Sequence, residues 1–260
     1  MKKLLSCLLL SVAATSVLTT SSQAGTFYVS TNGDEVGKVD ELTGSYTQVA
    51  LTPTFTDIAL SPKEQLFGIT FSQLYSVDLD SGINNYVGNL GKSLNALGFS
   101  NDGILYGAGG SNFYSIDTSS GAASQISSIS GFSSSGDIVF DAARDLFWAT
   151  STGDSLWSIK RDGVGTKIGD IGYGAVYGLA FGDDKTLFGY TAYQDQLAIN
   201  LGTGTGTFVR KISGLNSQQI WGAASEPDAT ATATRVPEPT MILGLLFVGT
   251  LFVGSRLQRK

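Results

Sequence analysis

The sequence predicts an all-β fold in which five copies of one four-stranded unit close into a ring. Three observations carry that prediction. Short apolar segments alternate with breaks rich in Gly, Asn, Asp and Ser through the middle of the chain, where amphipathic segments of helical period are missing. The same succession of segments returns at a period of about 40 residues. The first and last copies are incomplete in complementary ways.

Residues 97–121 show the unit most clearly. Leu97-Gly98-Phe99, Leu105-Tyr106-Gly107 and Tyr114-Ser115-Ile116-Asp117 are separated by Asn101-Asp102-Gly103 and Gly109-Gly110, and Ser119-Ser120-Gly121 closes the unit. The first segment returns at Ile58-Ala59-Leu60, Ile138-Val139-Phe140, Leu179-Ala180-Phe181 and Ile220-Trp221-Gly222. Counted from residues 58, 97, 138, 179 and 220, the steps are 39, 41, 41 and 41. The second returns at Phe27-Tyr28, Leu66-Phe67-Gly68, Leu146-Phe147-Trp148 and Leu187-Phe188-Gly189. The third returns at Gly37-Lys38-Val39-Asp40, Tyr75-Ser76-Val77-Asp78, Trp157-Ser158-Ile159 and Leu197-Ala198-Ile199-Asn200. Outer strands are expected at residues 84–87, 124–129, 166–168 and 207–212.

A unit of this size cannot bury both faces of its sheet alone, and radial stacking solves the problem. The first unit begins at Phe27 without an inner strand, and Ile220 begins an inner strand with nothing after it. Pairing the two completes a fifth blade and removes the open sheet edges of an unclosed array. The expected architecture is a five-bladed β-propeller over residues 25–225, with an open solenoid as the alternative.

The two ends read as addresses. Lys2-Lys3, an apolar run over residues 4–18 and Ser22-Gln23-Ala24 form the charged, apolar and small-residue parts of a secretory signal peptide at residues 1–24. Cys7 is the one cysteine of the chain, so the secreted part would hold neither a disulfide nor a thiol nucleophile. Residues 226–235 are small and polar and read as a flexible linker. Val236-Pro237-Glu238-Pro239 follows, then an apolar run over residues 241–253, then a basic end carrying Arg256, Arg259 and Lys260.

This order over residues 236–260 resembles the PEP-CTERM sorting tail of Gram-negative bacteria. The resemblance implies recognition of Pro237-Glu238-Pro239 by an exosortase, removal of the hydrophobic tail, and release or attachment at the cell surface. It also implies a setting of exopolysaccharide production. Taken as a helix, residues 240–255 would be about 24 Å long, a short membrane span. Its basic end would stay cytoplasmic and leave the repeats outside. An ordinary C-terminal anchor that is never cut is the alternative.

Asp40-Glu41-Leu42-Thr43-Gly44, Asp78-Leu79-Asp80-Ser81-Gly82 and Asp117-Thr118-Ser119-Ser120-Gly121 follow the third segment of their units. With the Leu-Phe/Tyr-Gly segments before them, they resemble the units of the YVTN and PQQ-type propeller superfamily. The fourth and fifth units depart, with Lys160-Arg161-Asp162-Gly163 and Asn200-Leu201-Gly202-Thr203-Gly204. The tryptophan-docking motif of quinone-binding members is absent, so the resemblance implies the fold and no cofactor. Read from the residues, Asp40, Asp78 and Asp117 suit turn capping better than metal binding, because Asp accepts turn N–H groups and the closing Gly supplies positive φ. Gly202-Thr203-Gly204-Thr205-Gly206 reads as a hairpin, since no helix or Gly-Lys-Ser/Thr follows to make a phosphate cradle.

Residues 25–225 hold 10 Lys and Arg against 19 Asp and Glu, a net of 10 − 19 = −9. Such a surface repels phosphate backbones and argues against a nucleic-acid partner. The chain has no histidine, which excludes Ser-His-Asp catalysis and removes the commonest metal ligand. In a propeller the chain crosses from the rim of one blade to the centre of the next, so the residues before each inner strand should ring one channel mouth. These are Asp57, Asn95, Asp137, Tyr177 and Gln219, with Phe132, Tyr173 and Trp221 nearby. Carboxylates, amides and aromatic faces suit a hydroxyl-rich ligand such as a glycan. The competing role is packing between blades and capping of the entering turn. Asp57 and Asp137 on one channel also allow an acid/base pair of the glycosidase kind.

The protein expected from the sequence is therefore a secreted, non-enzymatic binding or scaffold module without metal or cofactor. It would act at the Gram-negative cell surface or in an exopolysaccharide matrix, with an exosortase, extracellular polysaccharide or surface proteins as partners. Its C-terminal helix would hold it to the membrane before processing. A carbohydrate-active enzyme is the alternative.

Overall fold

Twenty strands form five four-stranded antiparallel sheets in the computed structural model, which describes residues 26–225. The expected signal peptide, linker and sorting tail lie outside the described residues. Blade 1 contains β1 (Thr26–Thr31), β2 (Glu35–Asp40) and β3 (Tyr46–Leu51). Blade 2 runs through β4 (Asp57–Leu60), β5 (Leu66–Ile69), β6 (Gln73–Val77) and β7 (Asn84–Asn89). Blade 3 has β8 (Ala96–Phe99), β9 (Leu105–Gly109), β10 (Asn112–Ile116) and β11 (Ala123–Ser128). Blade 4 has β12 (Ser134–Asp141), β13 (Leu146–Ser151), β14 (Ser155–Lys160) and β15 (Gly165–Asp170). Blade 5 has β16 (Val176–Phe181), β17 (Leu187–Thr191), β18 (Asp195–Ile199) and β19 (Gly206–Lys211), and β20 (Ile220–Ala224) returns to blade 1 as its innermost strand.

The ring closes as the incomplete end units require. Strand β20 pairs antiparallel with β1, setting Tyr28 opposite Ala224, Val29 opposite Ala223 and Ser30 opposite Gly222. One detail of the expected register is corrected. Ile58 faces Gly68, Leu97 faces Gly107 and Leu179 faces Gly189 at the middle of each inner pair. The residue in that place in blade 1 is Ala223, opposite Val29, and not Ile220. The last step is therefore 223 − 179 = 44 residues, because the connection into β20 (residues 212–219) is three residues longer than the one into β16 (residues 171–175).

Apolar side chains of the inner and middle strands gather into five clusters, each spanning two adjacent blades. The blade 3–blade 4 cluster packs Tyr106 against Phe147 with the rings tilted, 4.8 Å between ring centres. The closing cluster sets Phe27 on Tyr190 at 4.6 Å. Ring packing of this kind adds to the burial of the rings themselves. The outer turns follow their sequence chemistry: Asp40 Oδ1 accepts Thr43 N–H at 2.7 Å, Asp78 Oδ1 accepts Ser81 N–H at 2.9 Å and Asp117 Oδ1 accepts Ser119 N–H at 2.7 Å. Those hydrogen bonds hold all three carboxyls below the usual range. Gly121 closes its turn at φ +78°, where a side chain is strained.

Candidate ligand-binding site at the channel mouth

An inner strand of a propeller is paired on one side only, and its other edge faces the axis with N–H groups that need acceptors. In this chain two aspartates meet that need. Asp57, at the head of β4, accepts Ile58 N–H on Oδ1 at 2.8 Å and Leu97 N–H of β8 on Oδ2 at 2.6 Å. Asp137, on β12, accepts on Oδ2 the N–H of Leu179 in β16 at 2.5 Å and that of Ala223 in β20 at 3.3 Å. The two carboxyls lie against each other. Both side chains have 0% exposure. Burial pushes both well above the usual carboxylate range; the Asp137 charge pushes Asp57 further, while the N–H bonds of Leu179 and Ala223 oppose the shift at Asp137.

The structure thus corrects the placement of Asp57 and Asp137. They were expected at the mouth and instead lie inside, across the axis. Small residues make room for them: a Cβ on Gly222 would fall 2.3 Å from Asp57 Oδ1. Below the pair Leu60, Phe99, Val139, Leu179 and Ala224 line an apolar cavity of about 20 Å³. That is room for about one water.

The rim is built by the residue preceding the aspartate position in each blade. In register these are Thr56, Asn95, Gly136, Tyr177 and Trp221. Thr56 is buried, its hydroxyl donating to Ile69 O at 3.2 Å. Asn95 is partly buried; its Nδ2 donates to Ser134 O at 3.2 Å, while Asn95 Oδ1 and Ser134 Oγ are buried without a partner. Tyr177 and Trp221 are each the extra residue of a bulge, between Val176 and Gly178 in one blade and between Ile220 and Gly222 in the next. A bulge re-aims its side chain out of the regular alternation, and both aromatics are partly exposed. Gly136 lies under Tyr177, where a Cβ would come 2.8 Å from the Tyr177 carbonyl oxygen.

Gln219 accepts the Trp221 indole N–H on Oε1 at 3.2 Å, and its own N–H donates to Asn32 Oδ1 at 2.8 Å. The indole nitrogen is thereby satisfied and the ring faces are left for contact. Tyr173 packs against the blade 4–blade 5 cluster. Phe132 is buried edge-on to Trp157, 5.6 Å between centres, and stays in the core. The structure therefore brings Asn95, Tyr177, Gln219 and Trp221 to one rim and sets the two aspartates beneath it. Ser30 and Thr150, on the second strands, carry hydroxyls toward the aspartate layer: Thr150 Oγ1 accepts Asp137 N–H at 3.3 Å, and Ser30 Oγ is buried without a partner. Nothing in the sequence singled these out, because only the strand register brings them to the axis.

The arrangement defines a five-bladed β-propeller with an aromatic and amide rim over a buried pair of carboxyls. No protein-family model matches the chain, and no curated protein matches its sequence. Among solved structures it is similar to a structural genomics protein of unknown function from Bacteroides thetaiotaomicron, with TM-score 0.54, 13% identity and 74% of this chain covered. The chain spans 57% of the length of that protein. It is also similar to a symmetrical protein studied for its de novo evolutionary emergence under folding constraints, with TM-score 0.52, 13% identity, and coverage of 78% of this chain and 98% of that one. At such identity the likeness extends to the fold alone.

Proposed function

We propose that this chain is a non-enzymatic binding or scaffold module that is exported, sorted through its PEP-CTERM-like tail, and works at a Gram-negative cell surface or in its exopolysaccharide matrix. The observation that carries the binding part is the pair of bulges that turn Tyr177 and Trp221 outward at equivalent places in neighbouring blades, with the Gln219 amide beside Trp221 and the Asn95 amide further round the rim. Two aromatic faces with amides on the same rim match the alternating C–H faces and hydroxyls of a polysaccharide. The burial of Asp57 and Asp137 in mutual contact supports binding over hydrolysis, since a glycosidase pair stands about 5 Å or more apart on either side of a sugar.

The test is affinity electrophoresis and glycan-array binding of the chain beside its Trp221→Ala and Tyr177→Ala variants. The expected result is retention by a neutral polysaccharide, weakened about tenfold or more by Trp221→Ala. Binding to no glycan, or binding indifferent to both variants, overturns the rim assignment. Mass spectrometry of the exported protein tests the sorting part, which an intact Lys260 overturns.

A further inference from the structure

The four carboxyl oxygens at the axis are not equivalent. Both oxygens of Asp57 and Oδ2 of Asp137 accept backbone N–H groups, and Asp137 Oδ1 is buried with no N–H to accept. Two ionised carboxylates carry no hydrogen to place between them, so a bond between them needs a proton on one of them. Asp57 ties β4 to β8, and Asp137, on β12, ties to β16 and β20. The contact between the two carboxyls therefore joins a two-strand group to a three-strand group, and together these are the inner strands of all five blades.

We propose that Asp57 and Asp137 share one proton, directed at Asp137 Oδ1, and that this proton is a pH-sensitive clasp on the ring. With it, the two halves of the inner circle are hydrogen-bonded through the axis. Without it, two buried negative charges face each other and push those halves apart. The other titratable side chains on the inner strands are Asp141 and Tyr177, and those on the second strands are Tyr28, Tyr106 and Tyr190, with no Lys or Arg on either layer. Asp141 is occupied elsewhere, accepting from Arg144 at 2.7 Å and from the Trp148 indole at 3.0 Å. No cation on these strands replaces the proton.

The sign follows from linkage. The folded ring holds a proton that the unfolded chain releases above the ordinary carboxylate range, so the contribution is complete below that range and fades as pH rises through the elevated folded value. The test compares melting temperatures of the full-length chain and its Asp137→Asn and Asp57→Asn variants from about pH 5 to about pH 8. Asp137→Asn is the matched replacement: its carbonyl oxygen can accept from Leu179 and Ala223, and its amide can donate to Asp57 in place of the proton. Asp57→Asn sets an NH2 against the N–H of Ile58 or Leu97.

The expected result is a fall of about 3–8 °C across that window in the wild type, a markedly smaller fall in Asp137→Asn, and a lower melting point at every pH in Asp57→Asn. Glu41, another carboxyl held above its usual range, titrates alike in all three and cancels in the comparison. Equal falls in wild type and Asp137→Asn overturn the clasp. Infrared spectra of the wild type give an answer that needs no variant to fold: a protonated carboxylic acid band at neutral pH supports the shared proton, and its absence overturns it.

Discussion

The seam between blades 3 and 4 and the seam that closes the ring between blades 5 and 1 use the same position in opposite ways. Arg161 and Glu41 each stand two residues past the last core residue of the third strand, Ile159 and Val39, and each reaches the first turn of the preceding blade. At the internal seam Arg161 donates to Asp102 and Asp145, both at 2.7 Å, and to Asn101 at 3.0 Å, with its guanidinium 4.7 Å above the Phe140 ring. At the closing seam Glu41 meets Asp183 and Asp184. Burial and then those two charges raise its carboxyl, while Asp183 N–H and Arg210 pull the other way.

At the closing seam Arg210 of β19 donates to the Leu42 carbonyl oxygen at 2.5 Å, and the main chain does much of the joining. Strand β20 pairs along β1, Asn32 N–H donates to Gln219 O at 3.1 Å, and Gln194 Nε2 donates to Gln218 O at 2.8 Å. Main-chain pairing is directional and little screened by salt, whereas surface charge pairs are screened. The internal seam joins blades that follow one another in the chain. It also has a main-chain link, Ser134 N–H donating to Gly110 O at 2.8 Å, and its Arg161 cluster should make its strength depend on ionic conditions.

Substitutions can break this contrast. The largest effect is expected where each seam buries its rings: Phe147→Ala at the internal seam and Phe27→Ala at the closing one should each cost about 3–5 kcal/mol in chemical denaturation. A cost under about 1 kcal/mol at either would mean that the ring contacts there contribute little. Arg161→Ala should cost about 1–2 kcal/mol at low salt, with the difference shrinking as salt is added. A salt-independent loss would assign Arg161 to packing alone. The smallest effect is expected from Glu41→Gln, a gain of about 0.5 kcal/mol or less near neutral pH. Because Glu41 is raised in the fold, its favourable share is complete below the ordinary glutamate range and lost above it, so the gain should vanish in acid. A loss of stability at neutral pH would show that the Asp183 N–H contact outweighs the repulsion.

Much of this architecture was readable from the chain. The period located all the inner and middle strands, and the incomplete ends at Phe27 and Ile220 foretold the closing pair. Asp40, Asp78 and Asp117 were legible as turn caps because a cap bonds within a few residues of itself. The register of the last inner strand was missed by three residues, Ile220 for Ala223, since the connection from β19 to β20 is three residues longer than that from β15 to β16 and nothing in its composition marks the difference. Asp57 and Asp137 were singled out rightly as unusual and placed at the wrong depth. Whether a side chain at the head of an inner strand faces solvent or the axis depends on strands far away in sequence.

The sequence by itself determined what is local and periodic: short strands, turns closed by glycine, a repeat that stacks radially and ends that complete each other. Alternating burial and turn chemistry act over a few residues, so they are written in order along the chain. The tertiary structure alone decided which edges meet at the axis. It also decided that two carboxyls from different blades fill the place of missing strand partners there, and that two bulges turn Tyr177 and Trp221 outward. Those outcomes depend on N–H groups of β8, β16 and β20 converging on one line, and that convergence exists only when the ring is closed.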